Sequence, residues 1–288
     1  MDALTPPARL QSLQLQGSAY LDTYILWLTL ELKYARSNDS AKLDQANAMI
    51  AESNSGRNEF QSNIADEGRA QPNQNEANNM LDGVHIRLTL TRGVKLTSGM
   101  DPRLNQAGPT LIILAEHKAP VYDKSGLSLV TSSIRRFPPD CLDPKIHSNN
   151  LVQSILAKIE ANAAGADDAL MLDVHGFVAE TNATHVFIVD DKGTVLTSHL
   201  KACPEGITRA TVLDLCLRND IPFRVKDISL TEVYRAAEMF CTGTMGELAS
   251  VTQVDGRPVG PSEVPGPVTA ELSNLYLKQT VNSGEQVV

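Results

Sequence analysis

From residue 85 onward the chain runs through short apolar stretches, each closed by a polar or glycine/proline break. HIRLTLTRG at 85–93 sets Ile86, Leu88 and Leu90 against Arg87, Thr89 and Thr91, an alternation that predicts a half-buried strand. PTLIILAEH at 109–117 is continuously apolar between its ends and predicts a more buried strand, and LSLVTSSIRR at 127–136 predicts a third. FPPDCLDP at 137–144 suits neither ladder nor helix interior. The interdomain linker is therefore placed at 138–144.

After the linker, the spacing predicts a helix over about 150–163, the strand ALMLD at 169–173 and a turn at His175–Gly176. FVAET follows, then HVFIVDDKGTVLTS, a hairpin turning at DDKG. GITRATVLDLCLRND predicts a helix with Val212, Leu213, Cys216 and Leu217 on one stripe. SLTE at 229–232 has the form of a capping box. MFCTGT predicts a buried strand ending in a Gly-Thr loop, and VTQVDGRPVG a hairpin. GPVTAELSNLYLKQTV predicts a closing helix with Val268, Leu272 and Leu275 in register. Strands outnumber helices in mixed order and no repeat is present, so the expected class is α+β, or irregular α/β, in two lobes.

The first eighty residues have a different texture. Residues 37–79 are rich in Asn, Gln, Ser and Ala and poor in large apolar side chains, a composition that buries little surface. Leu26, Leu30 and Leu32 give weak helical periodicity before it. The expected organisation is a divergent, low-complexity segment 1–80, the remainder of a small α/β lobe at 81–137, the linker, and a large lobe at 145–288.

Composition narrows the function by exclusion. A formal net charge of -9 over 288 residues argues against nucleic-acid or anionic-membrane surfaces, which require a basic field. YILWLTLEL at 24–32 is too short and too interrupted to span a bilayer, and MDALTPPARLQ lacks the order of a secretory signal. Cys141, Cys203, Cys216 and Cys241 have no ligand spacing and read as reduced thiols of a cytosol-like compartment, with no metal site expected.

Four features are open to chemistry, each with a plain alternative. Lys145, in DPKIHSNNL before a helix, is either a solvated lysine or an amine tuned to attack a carbonyl. Glu180 shares a strand face with Val178, so its carboxylate needs a partner: an ordinary cation or a protonated heterocyclic nitrogen. Gly206, Ile207 and Thr208 open a helix and offer either a simple cap or an anion site. Gly243 and Thr244, ending an apolar strand, are either a tight turn or a second phosphate contact. Together they match the parts needed for pyridoxal phosphate: a Schiff-base amine, a pyridinium partner and a phosphate cup.

The order and wording of these motifs resemble the class IV, or fold-type IV, pyridoxal-phosphate aminotransferases. The carrying segments are LVQSILAKIEANAAGADDALMLD, GFVAETNATHVFIV, GITRATVLDL and MFCTGTMGELASVTQVDGRPVG with GPVT, and HIRLTLTRG matches the end of the smaller lobe. The resemblance spans roughly 82–280 and is nearest in wording to the branched-chain-aminotransferase-like group. It implies a two-lobed fold with an incomplete small lobe, and pyridoxal 5'-phosphate held by Lys145 as Schiff base. It further implies Glu180 on the pyridine nitrogen, and Gly206, Ile207, Thr208, Gly243 and Thr244 around the phosphate. Arg87 or Arg92 would contact the substrate carboxylate, with Met245 beside the substrate. The implied activity is amino transfer between an amino acid of branched-chain type and a 2-oxo acid, in a cytoplasmic homodimer. The alternatives are a catalytically reduced protein on the same scaffold and an aminodeoxychorismate lyase.

Departures from the family pattern are specific. The R-G-x-x-x-G-D-G-x-F-E type segment and its phosphate arginine are not found in residues 1–80. Pro204-Glu205 replaces Leu-Pro before Gly-Ile-Thr, and His185 stands where asparagine is common. Aligned on ILAK, His147 falls in the lysine's slot, with Lys145 two residues upstream.

Overall fold

The computed structural model describes residues 84–118, 121–122 and 125–282. The expectations for 1–80, the Leu26–Leu30–Leu32 periodicity included, lie outside the described residues. The chain divides into two compact units, the first ending at 119 and the second running over 120–285.

In the first unit, β1 (Val84–Thr91) and β2 (Thr110–His117) form an antiparallel ribbon in which Val84 faces His117 and Thr91 faces Thr110. Gly93 is required between them: its φ is 83°, and an added Cβ would lie 1.7 Å from the Gly108 carbonyl oxygen. The more buried strand expected at 109–117 is not observed. Ile112, Ile113 and Leu114 are each more than half exposed, and among the described residues β2 pairs with β1 alone, a ribbon too narrow to cover its own side chains.

The second unit is built on a nine-stranded mixed sheet. Its strands are β3 (Leu127–Arg135), β4 (Asp168–Leu172), β5 (Val178–Thr181), β6 (His185–Val189), β7 (Val195–Thr197), β8 (Phe223–Val225), β9 (Glu238–Gly243), β10 (Glu247–Val254) and β11 (Arg257–Pro258). The order is β5-β4-β3-β10-β9-β6-β7-β8, with β11 paired to β10. Only a short turn at 182–184 links β5, at one end, to β6 deep in the order, so the sheet must curl back on itself.

β3 runs parallel to both β4 and β10, with Leu127 and Leu129 buried. The unit boundary thus precedes β3 instead of falling at 138–144. That stretch is not linker but two turns, α1 (Pro139–Leu142) and a 3-10 turn at Pro144–Ile146. Each carries proline at its start, where a missing N–H leaves no bond unmade.

The remaining helices are α2 (Val152–Ala163), α3 (Ile207–Arg218), α4 (Leu230–Tyr234) and α5 (Pro267–Asn282). The capping box at Ser229 and Glu232 is formed, and both expected hairpins are present. In α3 the inward stripe is Thr208, Val212, Leu215 and Cys216, while Leu217 is exposed. In α2 small and polar residues (Gln153, Ser154, Ala157 and Ala161) face inward, leaving Val152, Ile155, Leu156 and Ile159 exposed.

Three apolar clusters hold these layers. One lies within the curled sheet around Leu129, Leu170, Val186 and Met239. A second joins α3 and α5 to Phe187 and Phe240, whose rings stack 5.0 Å apart. The third seats α2 on Ala169 and Met171. Glu238 anchors the start of α5, accepting the Val268 and Thr269 N–H groups at 2.9 and 2.8 Å and the Thr269 hydroxyl at 2.7 Å. Phe240→Ala is expected to lower stability by about 3–5 kcal/mol in urea unfolding, against less than about 0.5 kcal/mol for the exposed Leu277→Ala.

Candidate active site

The site begins where β3 ends. The chain leaves the ladder at Arg136, whose N–H still donates to the Leu172 carbonyl at 2.9 Å. Its guanidinium donates through Nη1 to Ser154 Oγ (2.8 Å), through Nε to the Ala202 carbonyl (3.3 Å), and through Nη2 to Glu180 Oε1. Both partners of the ion pair are buried: Arg136 is 7% exposed and Glu180 4%. Burial pushes the Glu180 carboxyl up to about 7, and the Arg136 charge pulls against that rise.

The second Glu180 oxygen, Oε2, lies 3.9 Å from Nδ1 of His185. Burial, with the charges of Arg209, Arg136 and His147, pulls His185 down to about 4, so the imidazole is neutral near pH 7 and this contact is not an ion pair. His185 in turn packs on the start of α3. A Cβ on Gly206 would sit 2.2 Å from its Cδ2 and 2.3 Å from its Nε2, so only glycine admits this approach. Gly206 gives α3 no side-chain cap, leaving the first helical N–H groups available to an anion. Thr208 and Arg209 are buried beside them, while Ile207 is exposed. Nε of Arg209 and Oγ1 of Thr242 are buried with no hydrogen-bond partner, although Nη2 of Arg209 donates to the Ser198 carbonyl at 2.9 Å.

A cavity of about 250 Å³ opens over the Arg136–Glu180 pair, with Asp143, His147, Gln153 and Asn182 also in its walls. Among the sequence candidates, Glu180 lines this cavity; Gly206 and Thr208 lie outside its lining, and Gly206 packs on His185, 3.9 Å from Glu180. Lys145 does not line it: it is exposed on the 3-10 turn, one residue after Pro144 and two before His147, which both line the cavity. Gly243, Thr244 and Met245 form the β9–β10 turn outside the lining residues, with Thr244 exposed. Tyr122 packs on that turn, where a Cβ on Gly246 would meet its ring at 2.4 Å. Arg87 and Arg92 are exposed in the first unit, and Glu205 is exposed in the second.

Sequence reasoning missed Arg136 and Asn182. Asn182 accepts the Ala169 N–H at 2.7 Å and donates to Asp168 at 3.1 Å, and Asp168 also accepts the Tyr122 hydroxyl at 2.6 Å. The available signal was the arginine pair closing an apolar strand immediately before the prolines. Burial pushes the Cys203 and Cys241 thiols up to about 12, which leaves both unreactive. Among the described residues no group of three or more His, Cys, Asp or Glu could hold a metal ion, and no helix is long and apolar enough to cross a membrane.

Two opposed titrations follow from the burial. Glu180, raised from 4.5 to about 7, favours the folded state below pH 4.5 and loses that contribution as pH rises through 7. His185, lowered from 6.5 to about 4, contributes stability above pH 6.5 that is lost as pH falls toward 4. Glu180→Gln should therefore make the rise of stability between pH 4 and 6.5 steeper, and His185→Gln should reverse it; urea midpoints across that range read the slopes. Gly206→Ala should displace His185 and shift the apparent titration of Glu180.

The family model for class IV amino-transferases matches residues 44–254. The chain is 54% identical over 208 residues to branched-chain-amino-acid aminotransferase-like protein 2 of Arabidopsis thaliana, covering 72% of this chain and 37% of that relative. It is 37% identical over 199 residues to a putative branched-chain-amino-acid aminotransferase of Methanocaldococcus jannaschii, covering 69% and 68%. Among solved structures, a T.th. branched-chain amino acid aminotransferase complexed with N-(5'-phosphopyridoxyl)-L-glutamate superimposes with a TM-score of 0.66 at 33% identity, over 75% of this chain and 70% of that one. The chain thus spans little more than a third of the length of its Arabidopsis relative. With motifs, fold and match agreeing over most of its length, the chain belongs to the class IV aminotransferase family.

Proposed function

We propose that this chain is a pyridoxal-phosphate-dependent transaminase that moves an amino group between an amino acid of branched-chain type and a 2-oxo acid. The observation that carries the reading is the buried Glu180 carboxylate at the cavity wall, with one oxygen fixed by Arg136 and the other unpaired in the direction of a neutral imidazole. Such an oxygen accepts a hydrogen bond from a protonated ring nitrogen, and the fixed guanidinium keeps the carboxylate from turning away. The uncapped start of α3 and the unpartnered Arg209 Nε suit a phosphate dianion. The residues fit the cofactor's ring and phosphate. When bound, the cofactor would supply an electron sink for the substrate α-carbon.

In this reading Glu180 holds the ring nitrogen, and Gly206, Ile207, Thr208, Gly243 and Thr244 surround the phosphate. Arg87 or Arg92 takes the substrate carboxylate and Met245 borders the substrate. Lys145 is the chain's candidate for tethering the cofactor. It sits between two residues that line the cavity, so the turn at 144–146 would have to re-form to bring its amine in. The exposed apolar stripe on α2 supports a homodimer, and the free, exposed thiol of Cys141 suits a reducing, cytoplasmic setting.

A second reading, a protein that keeps the scaffold with little or no turnover, is favoured by one observation: among the described residues no lysine lines the cavity.

Calorimetric titration with pyridoxal phosphate and a coupled leucine–2-oxoglutarate assay test the proposal. Binding and exchange are expected. Glu180→Ala should weaken cofactor binding by about tenfold to a hundredfold, the equivalent of one charge-assisted hydrogen bond. Arg136→Ala should lower stability by about 3–5 kcal/mol by leaving a buried carboxylate unpaired. Binding without exchange supports the second reading, and pyruvate release from aminodeoxychorismate supports a lyase.

A further inference from the structure

The turn between β3 and α2 decides which side chain meets the reactive end of a bound cofactor. Three backbone contacts pin it. Asp143 Oδ1 accepts the Lys145 N–H at 3.0 Å, the Asp143 carbonyl accepts the Ile146 N–H at 3.1 Å, and the Pro144 carbonyl accepts the His147 N–H at 2.9 Å. Both side chains are exposed at this turn, but Lys145 is absent from the cavity wall while His147, two residues on, is part of it together with Arg136 and Glu180.

His147 ends the turn in the left-handed region, at φ 51° and ψ 42°. A residue other than glycine costs about 1 kcal/mol or more there, yet an imidazole occupies the position. His147 also acts on the interior, since its charge is among the causes that hold the buried His185 neutral. Lys145 and His147 are thus separated by conformation as well as by sequence: only the histidine is presented to the site.

We propose that this site holds the phosphorylated vitamin B6 cofactor without a covalent tether, with His147 in the tether's place, and binds the amine form at least as well as the aldehyde form. The inference rests on the ring and phosphate contacts of the cofactor reading above and replaces its Lys145 tether. A site with an accessible lysine gains a covalent bond from the aldehyde form, because the primary amine condenses with the carbonyl and water leaves. Imidazole has no primary amine and forms no stable imine. An imidazole nitrogen that carries no proton accepts a hydrogen bond from the aminomethyl group of pyridoxamine phosphate, which carries a donor where the aldehyde carries only an acceptor. Removing the covalent term therefore removes the advantage of the aldehyde, and the hydrogen-bonding pattern favours the amine.

The test uses the whole chain. Pyridoxal phosphate and pyridoxamine phosphate are titrated separately by calorimetry. The pyridoxal phosphate complex is then freed of excess cofactor, reduced with borohydride and mapped by peptide mass spectrometry. The unaltered chain is expected to bind the amine form as tightly as the aldehyde form or more tightly, and to carry no stoichiometric reduced adduct. His147→Lys is expected to gain a stoichiometric adduct at position 147 and to shift the preference toward the aldehyde by about tenfold or more. A stoichiometric adduct at Lys145 in the unaltered chain overturns the inference, and so does a His147→Lys variant that binds pyridoxal phosphate without trapping it. The trapping result on the unaltered chain stands whether or not the variant folds. Failure to bind either form overturns the cofactor reading itself, a different outcome from binding with the tether at Lys145.

Discussion

The contact on which the second unit depends is the buried pair between Arg136 and Glu180. Each residue alone would be expensive to bury, and together they leave one carboxylate oxygen unpaired by the guanidinium. Each nitrogen of the guanidinium makes one hydrogen bond, to Glu180, to Ser154 from α2 and to the Ala202 carbonyl. One side chain therefore ties the end of β3, helix α2, the loop before α3 and strand β5 to a single point. The cavity lies over that point.

The curl of the sheet brings the rest of the site to the same place. β5 and β6 lie far apart in strand order but are joined by the turn at 182–184, so Glu180 and His185 come within 3.9 Å of each other. His185 then rests on Gly206, which sets the start of α3 close by. A buried acid, a neutral imidazole and an uncapped helix start thus follow one another in space. Their polarity suits a ligand with a basic ring nitrogen at one end and an anion at the other.

Much of this was legible from local pattern. The alternation through FVAET marks Glu180 as an inward-facing acid, the hairpin signals at DDKG and VDGR hold, and the Ser229–Glu232 box caps its helix. What local pattern could not supply is pairing over distance. Arg136 and Glu180 are 44 positions apart, and the IRRF stretch has no periodicity to mark either arginine as buried. β3 reads as a strand of the first lobe because its partners, β4 and β10, are identified only by parallel pairing across long crossovers. The apolar β2 reads as buried because composition reports what a strand could cover, not whether a partner layer is wide enough to cover it. The Lys145–His147 choice is likewise a matter of turn geometry: both residues are exposed, and only His147, at a left-handed position, borders the cavity.

The central claim is that Glu180 receives a protonated pyridine nitrogen. The most direct measurement is the nitrogen-15 NMR spectrum of ring-labelled pyridoxal phosphate bound to the whole chain near neutral pH. The account predicts a ring nitrogen that stays protonated in the complex and loses that proton signature in Glu180→Gln. An unprotonated ring nitrogen in the unaltered complex, or one indifferent to the substitution, would contradict it.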